Sequence, residues 1–452
     1  MKNNKRIIII GGGPTGIGAA YHLQKLGYDN WFMYEKNSYL GGHSATHKDR
    51  SGFLWDEGGH VLFSHFKYYD VFLSEVLGKN FYRHRRESWV KMPKVWVPYP
   101  FQNNIRYLPP EDQLKCISEL IKAQLRKDKK AANFEEWVYS TFGKGIAEMF
   151  MLPYNFKVWA TPPESMSKDW IAERVSVVNV ERILSNIINK EDDISWGPNN
   201  TFVFPKYGGT GEIYERGGRK FQEKIRLNEE LVSVDFDKKL LRFRSGLLET
   251  YDFLISAVPI DRLIRISNAP VLIRRSAEGL VHNGIVVLGL GLKKKIKTSK
   301  CWVYFPDKET PFYRLTFFHN YSPCVVPGGD VNKYSSLMCE VSYSKFKKLN
   351  KKTIARDCIE ALIKHGILNS DDRKKIVSIA QYDIPYGYPV PTLDRDRRLK
   401  KIQSYLLKRG IYSRGRYGAW KYEISNMDHC FMQGVEAVES ILNNKKETIW
   451  SL

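Results

Sequence analysis

The sequence predicts an α/β protein in which a discontinuous nucleotide-binding domain of Rossmann-like type is combined with a helical insertion domain and a mostly antiparallel β-sheet domain. The chain begins with a short apolar run that breaks into glycines and continues with helical periodicity. A helical pattern covers 111–189, and strand-like apolar segments return after it. The 452 residues, of which 43% are hydrophobic, are enough to fill two or three hydrophobic cores.

The first element, over 6–27, has the pattern of a strand, a glycine turn and a helix. Three glycines fall on a G-x-G-x-x-G frame, in which the first permits a tight turn, the second admits a pyrophosphate against the backbone, and the third allows close helix–strand packing. Free amides at the helix start then face the anion. The spacing alone leaves a plain chain reversal as an alternative. The residues predicted to hold the pyrophosphate are Gly11, Gly13, Pro14, Thr15 and Gly16.

The next strand indicates which nucleotide is bound. Trp31–Tyr34 is apolar and ends at Glu35, roughly 20 residues beyond the glycines. A carboxylate at that position accepts hydrogen bonds from a ribose diol, which favours FAD or NAD over NADP.

Two further glycine pairs favour FAD over NAD. Gly41 and Gly42 follow the second strand, and Gly58 and Gly59 stand directly before His60. An NAD site needs one phosphate turn, whereas the longer FAD molecule needs backbone without side chains where its flavin end lies. We therefore predict FAD as the cofactor.

Composition argues against several other classes of protein. The formal net charge is +22, but the lysines are dispersed and lack the interleaved aromatics of a nucleic-acid-binding sheet. A basic surface that attracts a polyanionic small substrate is therefore favoured. The six cysteines form no C-x-x-C pair, which indicates reduced thiols in a cytoplasmic protein without structural zinc. No apolar run is long enough to cross a membrane. We expect no metal, membrane or nucleic acid among its partners.

The domain boundaries follow from changes in periodicity. Strand patterns return near 202–204, 231–234 and 253–258, and the last of these is typical of re-entry into a nucleotide-binding sheet. The last helix begins near 426–428. The pattern over 284–384 is mostly that of strands, with one helix at 352–365. The predicted domains are an FAD-binding domain at 1–87, 205–265 and 405–452, a helical domain with mobile flaps at 105–200, and a substrate-binding β-sheet domain at 88–104 and 266–404.

The chain shows no Ser-His-Asp constellation, metal-ligand spacing or isolated carboxylate pair that could carry catalysis, so the flavin must supply the chemistry. Arginines and tyrosines instead group in loops, where guanidinium forks and phenol hydroxyls suit a diphosphate. For each residue taken alone, the alternative of a core tyrosine or a surface arginine stays open. The grouped residues are Arg174, Arg314, Tyr304, Tyr321, Tyr388 and Tyr422.

Five tracts are distributed over almost the whole chain: 58–65 (GGHVLFSH), 96–104 (WVPYPFQNN), 153–160 (PYNFKVWA), 196–199 (WGPN) and 415–418 (GRYG). Together they resemble UDP-galactopyranose mutase of the eukaryotic type. The longest of them are specific to that family, whereas the glycine fingerprint is shared with amine oxidases and many other flavoproteins.

The resemblance implies an isomerase that interconverts UDP-galactopyranose and UDP-galactofuranose, or a close UDP-sugar pair. In that family N5 of reduced flavin attacks the anomeric carbon and there is no net redox change. FAD would be active when reduced, with NADPH as the reductant. A competing interpretation is an FAD-dependent amine oxidase or desaturase-like oxidoreductase, whose pocket should be apolar. A third is a non-catalytic nucleotide-sugar binding protein, which would require loss of the flavin contacts.

The resemblance also implies roles for individual residues. His60, Arg174 and Arg314 would be the catalytic residues, and both arginines would clamp the diphosphate together with the four tyrosines named above. The residues expected around uridine are Tyr99, Phe101, Gln102, Tyr154 and Asn155, and those expected on mobile flaps are Trp159 and Asn199. The residues expected at the flavin or the sugar are His60, Phe63, Leu231, Arg416, Asn426 and Met427.

Two positions depart from the family pattern. Ser195 stands where fungal members have an asparagine, and Lys421 replaces an arginine. The preferred sugar, whether galactose, an N-acetylated form or a deoxy variant, therefore stays open, as does the oligomeric state.

Overall fold

The structure is a computed structural model that describes residues 4–126, 130–171, 175–194 and 200–450. Its strands are β1 (Ile7–Ile10), β2 (Trp31–Tyr34), β3 (Thr46–Lys48), β4 (Leu54–Asp56), β5 (Phe81–Arg85), β6 (Ser88–Lys91), β7 (Trp96–Pro98), β8 (Thr201–Pro205), β9 (Ile225–Arg226), β10 (Leu231–Asp235), β11 (Leu240–Phe243), β12 (Leu248–Thr250), β13 (Phe253–Ser256), β14 (Gly284–Leu292), β15 (Trp302–Tyr304), β16 (Arg314–Phe317), β17 (Ser335–Tyr343), β18 (Ile376–Ile384) and β19 (Ile411–Ser413). Its helices are α1 (Pro14–Lys25), α2 (Lys67–Leu77), α3 (Pro110–Leu125), α4 (Phe134–Ile146), α5 (Leu152–Trp159), α6 (Val180–Asn189), α7 (Gly211–Arg219), α8 (Ile260–Arg265), α9 (Val271–Glu278), α10 (Ile354–Lys364), α11 (Arg395–Leu407), α12 (Gly415–Gly418) and α13 (Met427–Asn443).

A five-stranded parallel sheet in the order β19–β13–β1–β2–β9 forms the nucleotide-binding part. Its central strand β1 consists of four buried isoleucines, as expected for a parallel strand covered on both faces. Ile7 and Ile9 pack with α1, α2, α7 and α13, whereas Ile8 and Ile10 pack with β10, β11, α8, α9 and α11.

Helices α1 and α13 pack against each other at glycines. A Cβ on Gly18 would lie 2.1 Å from the carbonyl oxygen of Phe431, and one on Gly434 would lie 2.0 Å from that of Thr15. Neither position can carry a side chain without a shift of backbone. This close approach brings the N-terminal end of α13 next to the glycine turn that begins α1.

The second large sheet has seven strands in the order β18–β14–β17–β16–β15–β6–β7. All neighbouring pairs are antiparallel except β15 and β6. One face packs on α10 in a core that includes Val286 and Leu288. The other face carries a row of directly opposed residues, Val287, Glu340, Arg314 and Tyr304, on β14, β17, β16 and β15.

The fold class predicted from the sequence is confirmed: parallel and mostly antiparallel sheets are combined with a helical insertion. The helical pattern over 111–189 forms α3 to α6, and the helices predicted at 352–365 and near 426–428 are α10 and α13. No helix among the described residues is both long and apolar enough to cross a membrane.

The nucleotide-binding core includes part of the range 266–404 that the sequence assigns to the β-sheet domain. Ala277 of α9 and Ile402 of α11 are buried in the same cluster as Ile8 of β1. These helices are short and amphipathic, and they lie at the two ends of a strand-rich stretch. Their periodicity alone does not reveal which sheet they cover.

Candidate active site

A cavity of about 840 Å³ lies between the two large sheets. Ile10 and Glu35 line it from the nucleotide-binding sheet, and Ile285, Arg314 and Glu340 line it from the seven-stranded sheet. The predicted cofactor residues that line it are Gly11, Gly13, Pro14, Thr15, Glu35, Gly42, Gly58, Gly59, His60, Leu231, Arg416, Asn426 and Met427. The predicted substrate residues that line it are His60, Phe63, Arg314, Tyr388, Tyr422 and Asn426.

One end of the cavity is a cradle of backbone. Gly11 has a φ of +104° and its amide donates to the carbonyl of Tyr34, so the chain turns sharply after β1. Gly13 is the N-cap of α1 and Pro14 its first residue, with no acidic side chain in the first turn. The amides and the positive end of the helix dipole therefore face the cavity, as in an anion site. Gly16 lies behind this turn, where a Cβ would be 1.9 Å from the carbonyl oxygen of Gly11.

Glu35 lies at the end of β2 and is 4% exposed. Its carboxylate accepts hydrogen bonds from the amides of Gly12 at 2.7 Å and Asn37 at 2.8 Å. Burial raises the pKa of Glu35, and these amides oppose that shift. Each carboxylate oxygen keeps a second lone pair for a hydroxyl donor. The geometry suits a ribose diol at this position.

The opposite end of the cavity is formed by the turn Gly58–His60. A Cβ on Gly59 would lie 2.6 Å from Oγ1 of Thr316 and 3.2 Å from Nη2 of Arg314. The turn thus packs directly on the seven-stranded sheet. Burial, followed by the positive charges of Arg416 and Arg314, lowers the pKa of His60 to about 3, so its imidazole is neutral near pH 7.

At this end, three polar atoms of residues that line the cavity are buried without a hydrogen-bond partner among the described residues: Nδ1 of His60, Nη1 of Arg416 and the hydroxyl of Tyr417. Buried polar groups are nearly always paired, so these atoms favour a bound polar group. The phosphate cradle, the ribose carboxylate and these donors together fit FAD. The turn at Gly11 and the carboxylate of Glu35 would hold its pyrophosphate and ribose. The turn at Gly58 and the start of α13 at Met427 would lie at its flavin end.

Arg314 and Glu340 form an ion pair on the side of the cavity that the seven-stranded sheet lines. They are directly opposite on β16 and β17, and the guanidinium Nη2 donates to Oε1 at 2.7 Å while Nε donates to Oε2. Only 3% of the Glu340 side chain and 20% of the Arg314 side chain are exposed. The pKa of Arg314 is held above its usual value, because attraction by Glu340 outweighs the opposing effect of burial. Arg314 is therefore a fixed positive charge beside the cavity.

Two tyrosines stand close to this charge. Burial raises the pKa of Tyr388 to about 12, and its hydroxyl lies 3.5 Å from that of Tyr313. The ring of Tyr422 lies edge-on to that of Tyr388 at 5.5 Å. Both Tyr388 and Tyr422 line the cavity, and a protonated phenol there is a neutral hydrogen-bond donor.

The residues predicted to surround uridine lie beyond the described cavity, in the helical region. Phe101 stacks on Phe150 at 4.9 Å, and Phe150 stacks on Tyr154 at 5.1 Å. Tyr304 then packs between Tyr154 and Tyr99, at 5.1 Å and 5.0 Å. These rings form a continuous aromatic column, and Tyr304 joins it to the strand row that contains Arg314.

Other predicted substrate residues are held within the protein. The amide of Gln102 donates to the carbonyl of Ser176 at 2.8 Å, while its Oε1 has no partner among the described residues. The amide of Asn155 donates to the carbonyl of Met151 at 2.7 Å, within the helical segment. Trp159 is 2% exposed. Tyr321 is fully buried among aromatic residues and does not line the described cavity. Arg174 and Asn199, like Ser195, lie outside the described residues.

Two carboxylates that line the cavity, Glu340 and Glu57, escaped sequence reasoning. Glu340 is a single carboxylate in the otherwise apolar strand SSLMCEVSY, and that isolated charge was a usable signal. Glu57 lines the cavity; although burial raises its pKa, interactions with His43 at 3.6 Å and His47 at 3.0 Å lower that pKa to about 2. No local pattern links these histidines to Glu57, because the contact depends on the fold of β3 and β4.

One cluster among the described residues has the side-chain types of a metal site. Nδ1 of His65 lies 2.7 Å from Oδ2 of Asp428, and Nδ1 of His429 lies 3.0 Å from Oδ1. The backbone amides of both histidines also donate to this carboxylate, so its oxygens are already hydrogen-bonded.

Comparisons with known proteins agree with this geometry. The family of flavin-containing amine oxidoreductases matches residues 14–442. The crystal structure of a reduced UDP-galactopyranose mutase is 45% identical, covers 98% of this chain and 96% of its own, and superimposes with a TM-score of 0.94. A protein from Exiguobacterium sp. named as a protoporphyrinogen oxidase is 15% identical over 98% of this chain and 100% of its own, with a TM-score of 0.75. Putrescine oxidase bound to putrescine is 14% identical over 97% of this chain and 99% of its own, with a TM-score of 0.65. The two oxidases, at 14% and 15% identity, show the fold alone. The family match and the mutase structure establish that the chain belongs to the flavin-containing amine oxidoreductase family and, within it, groups with UDP-galactopyranose mutase.

Proposed function

We propose that the protein is a flavin-dependent isomerase that interconverts UDP-galactopyranose and UDP-galactofuranose, or a closely related UDP-sugar pair. The observation that carries this proposal is the position of Arg314, a fixed positive charge on the cavity wall opposite the backbone cradle. A cavity with a dinucleotide cradle on one side and a diphosphate-binding charge on the other suits a nucleotide-sugar enzyme. The similarity to UDP-galactopyranose mutase supports the same assignment.

The cofactor would be held by the chain in four places. The turn at Gly11 and Gly13 would bind the pyrophosphate, and Glu35 would accept hydrogen bonds from the ribose. Gly59 and the start of α13 would lie at the flavin end, where a helix N-terminus favours negative charge. When bound and reduced, the flavin supplies the nucleophile for the anomeric carbon, which agrees with the lack of a protein nucleophile in the sequence. We further propose NADPH as the reductant.

The substrate would be held by side chains of the second wall. The Arg314 guanidinium keeps the edge that is not bonded to Glu340 for phosphate oxygens, while Tyr388 and Tyr422 add neutral donors. We assign Arg174 to the same diphosphate and Asn199 to a flap, both on the resemblance. A clamp of this kind keeps UDP in place while the sugar ring opens and closes. His60, neutral at pH 7, contributes a hydrogen-bonding imidazole without adding charge.

The uridine would lie at the aromatic column. Phe101 and Tyr154 provide ring faces, and Gln102 and Asn155 provide amides; Oε1 of Gln102 has no partner among the described residues. The described cavity stops short of these residues. We assign Trp159 to a flap on the resemblance alone, because its ring is 2% exposed and packs on Tyr388 and Tyr422. A cytoplasmic location belongs to the same proposal, because all six cysteines are unpaired.

The alternative is an amine oxidase or desaturase-like oxidoreductase, as the family name suggests. An apolar or amine substrate would place no demand for a buried arginine beside the flavin end. The buried Arg314–Glu340 pair therefore favours the UDP-sugar reaction.

The test is an anaerobic assay of a small panel: UDP-galactopyranose, its N-acetylated form and a deoxy variant. Oxidised and reduced holoenzyme are compared by chromatographic separation of the pyranose and furanose products. We expect conversion only by reduced enzyme. Equal conversion by oxidised enzyme would exclude the flavin as nucleophile, and no conversion of any UDP-sugar would overturn the proposal.

A further inference from the structure

Arg414, the residue after β19, is the centre of a buried network of polar contacts. Its side chain is fully buried, and Nε and Nη2 donate to the two carboxylate oxygens of Glu447 at 2.5 Å and 2.6 Å. Nη1 donates to Oε1 of Gln403 at 3.1 Å and to the carbonyl of Ser413 at 2.8 Å. The guanidinium carbon lies 3.8 Å from the ring centroid of Trp450, a cation–π distance. All three guanidinium nitrogens are therefore held within the protein.

Two of these partners come from one short segment, 447–450, that follows α13. The carboxylate of Glu436 on α13 accepts hydrogen bonds from the amides of Thr448 at 2.9 Å and Ile449 at 3.0 Å. These bonds tie the segment to the helix. The segment also buries Trp450, which is 5% exposed. It thus presents a carboxylate and a ring to one arginine.

The backbone from Arg414 onward is packed against the start of α1. The amide of Arg414 donates to the carbonyl of Ser256 on β13 at 2.9 Å, and that of Gly415 donates to Oε1 of Gln433 on α13 at 2.8 Å. Gly415 has a φ of +86°, and a Cβ there would collide with Oγ1 of Thr15. Gly415 and Thr15 both line the cavity. A shift of Arg414 would therefore move backbone that packs on the cofactor cradle.

Arg416, two residues further along the chain, has a donor that the protein does not use. It lines the cavity, and its Nη1 is buried without a partner among the described residues. Its guanidinium carbon lies 5.5 Å from the ring centroid of Tyr388. Buried donors are nearly always paired, so Nη1 favours a polar atom of a bound ligand. The direction of this donor depends on the backbone that Arg414 anchors.

A role in stability alone explains the network less well. Replacing a buried ion pair by apolar residues of similar volume is often neutral or stabilising, so the free energy of unfolding gives little reason to bury this pair. A pair that only fastened the 447–450 segment could lie anywhere along its contact with α13. It lies instead on the residue directly before two residues that line the cavity, Gly415 and Arg416.

We propose that Arg414 is a positioning residue for the cofactor: the 447–450 segment holds its guanidinium, and Arg414 thereby places Arg416 against the flavin end of FAD. This inference rests on the proposed function, because it takes FAD as the ligand of Arg416. If Glu447 loses its charge, the guanidinium stays buried without a counter-charge, which is strongly unfavourable. Arg414 must then turn toward another acceptor, and the backbone that leads to Arg416 moves with it.

Coupling of this kind is reciprocal. If the network strengthens FAD binding by some factor, bound FAD must stabilise the network by the same factor. Hydrogen exchange at the amides of Thr448 and Ile449 reports this effect, although neither residue lines the cavity. The reference is the amide of Asp372, which donates to Oδ1 of Asn369 at 3.0 Å and also lies outside the cavity lining. We expect FAD to slow exchange at Thr448 and Ile449 more than at Asp372.

The main experiment measures the Kd of FAD by titration of apoprotein, followed by flavin fluorescence. Glu447→Gln keeps the shape but not the charge, Glu447→Asp keeps the charge but shortens the reach, and Trp450→Ala removes the ring. The matched control is Asp372→Asn, because Asp372 is also buried and paired with lysines but does not line the cavity. The Tm of each apoprotein and the absorption spectrum of its bound flavin are recorded as well.

In Glu447→Gln we expect the Kd of FAD to rise by about fivefold or more, the usual range of a coupling free energy. The absorption spectrum of the bound flavin should shift, because the charge of Arg416 is displaced. Glu447→Asp should recover part of the affinity. Trp450→Ala should also weaken FAD binding, and it carries the test if the glutamine variant does not fold. Asp372→Asn should keep the wild-type Kd within about twofold even where its Tm falls.

Two results would overturn the inference while leaving the proposed function intact. One is a folded Glu447→Gln variant, or a folded Trp450→Ala variant in its place, that binds FAD with the wild-type Kd and spectrum. The other is a loss of FAD affinity in Asp372→Asn as large as in Glu447→Gln, which would show that affinity follows stability alone. Failure of the wild type to bind FAD would instead overturn the proposed function.

Discussion

The two walls of the cavity are built by different means. The cofactor wall presents mainly backbone, with Gly11 and Gly13 in one turn and the carboxylate of Glu35 at the end of the next strand. The substrate wall presents side chains from opposed positions on neighbouring strands, Arg314 and Glu340 among them. A backbone site depends on residues close in sequence, whereas a cross-strand site depends on register between distant segments. Substitutions should therefore separate cofactor binding from substrate handling.

The largest effect is expected for Arg314→Ala, because it removes the substrate charge and leaves Glu340 buried without its partner. Breaking a buried pair costs about 3–5 kcal/mol of stability. Loss of the charge-assisted fork should lower kcat/KM at least roughly tenfold, measured anaerobically with reduced enzyme. Arg314→Lys should recover only part of the loss, because lysine restores the charge but not the fork. Wild-type kcat/KM in the alanine variant would refute the diphosphate assignment.

The glycine turn offers a matched pair on the cofactor wall. In Gly16→Ala the new Cβ would lie 1.9 Å from a backbone oxygen, so we expect a loss of about 1–3 kcal/mol in stability together with lost FAD. In Gly13→Ala the new Cβ would lie 3.7 Å from the nearest protein atoms, so the stability of the apoprotein should not change. The affinity for FAD should fall, because the Cβ stands where the pyrophosphate would approach the backbone. Thermal unfolding and flavin content after dialysis distinguish the two. A stable, flavin-free Gly16→Ala protein would contradict this division.

Glu35→Ala should weaken FAD binding by about 1–3 kcal/mol, because the ribose hydroxyls and the amides of Gly12 and Asn37 lose their acceptor. Glu35→Gln should recover part of the affinity through its remaining carbonyl oxygen. Titration of apoprotein with FAD, followed by fluorescence, measures both values. Unchanged affinity in the alanine variant would mean that the ribose lies elsewhere.

The smallest effect concerns the pH dependence of His60, at the junction of the two walls. Its pKa is lowered to about 3, so the folded protein binds fewer protons than the unfolded chain between pH 3 and 6.5. The free energy of unfolding therefore keeps the full contribution of neutral His60 above pH 6.5. Below that pH the contribution is lost, by up to about 1.4 kcal/mol per pH unit. The Tm difference between wild type and His60→Asn, measured from pH 8 to 5, should therefore change below pH 6.5 in favour of the variant. A constant difference would show that His60 is not held neutral.

The same contrast explains what the sequence could predict. The glycine turn, Glu35 and the paired glycines were identified because each signal is local, and all but Gly16 and Gly41 line the cavity. The roles of Glu340 and of the aromatic column depend on the register of β14 to β17 and on how α5 packs, which periodicity does not contain. Tyr321 illustrates the limit, because a tyrosine in a loop can equally well belong to the core, where the structure places it.

The most direct test of the account is the number of substrate molecules converted for each flavin reduced. Holoenzyme is reduced anaerobically with one equivalent of dithionite, excess UDP-galactopyranose or its furanose isomer is added, and product and flavin absorbance are followed together. The account predicts many turnovers while the flavin stays reduced, because the reaction has no net redox change. Conversion that stops at one product per flavin, with the flavin reoxidised, would contradict it.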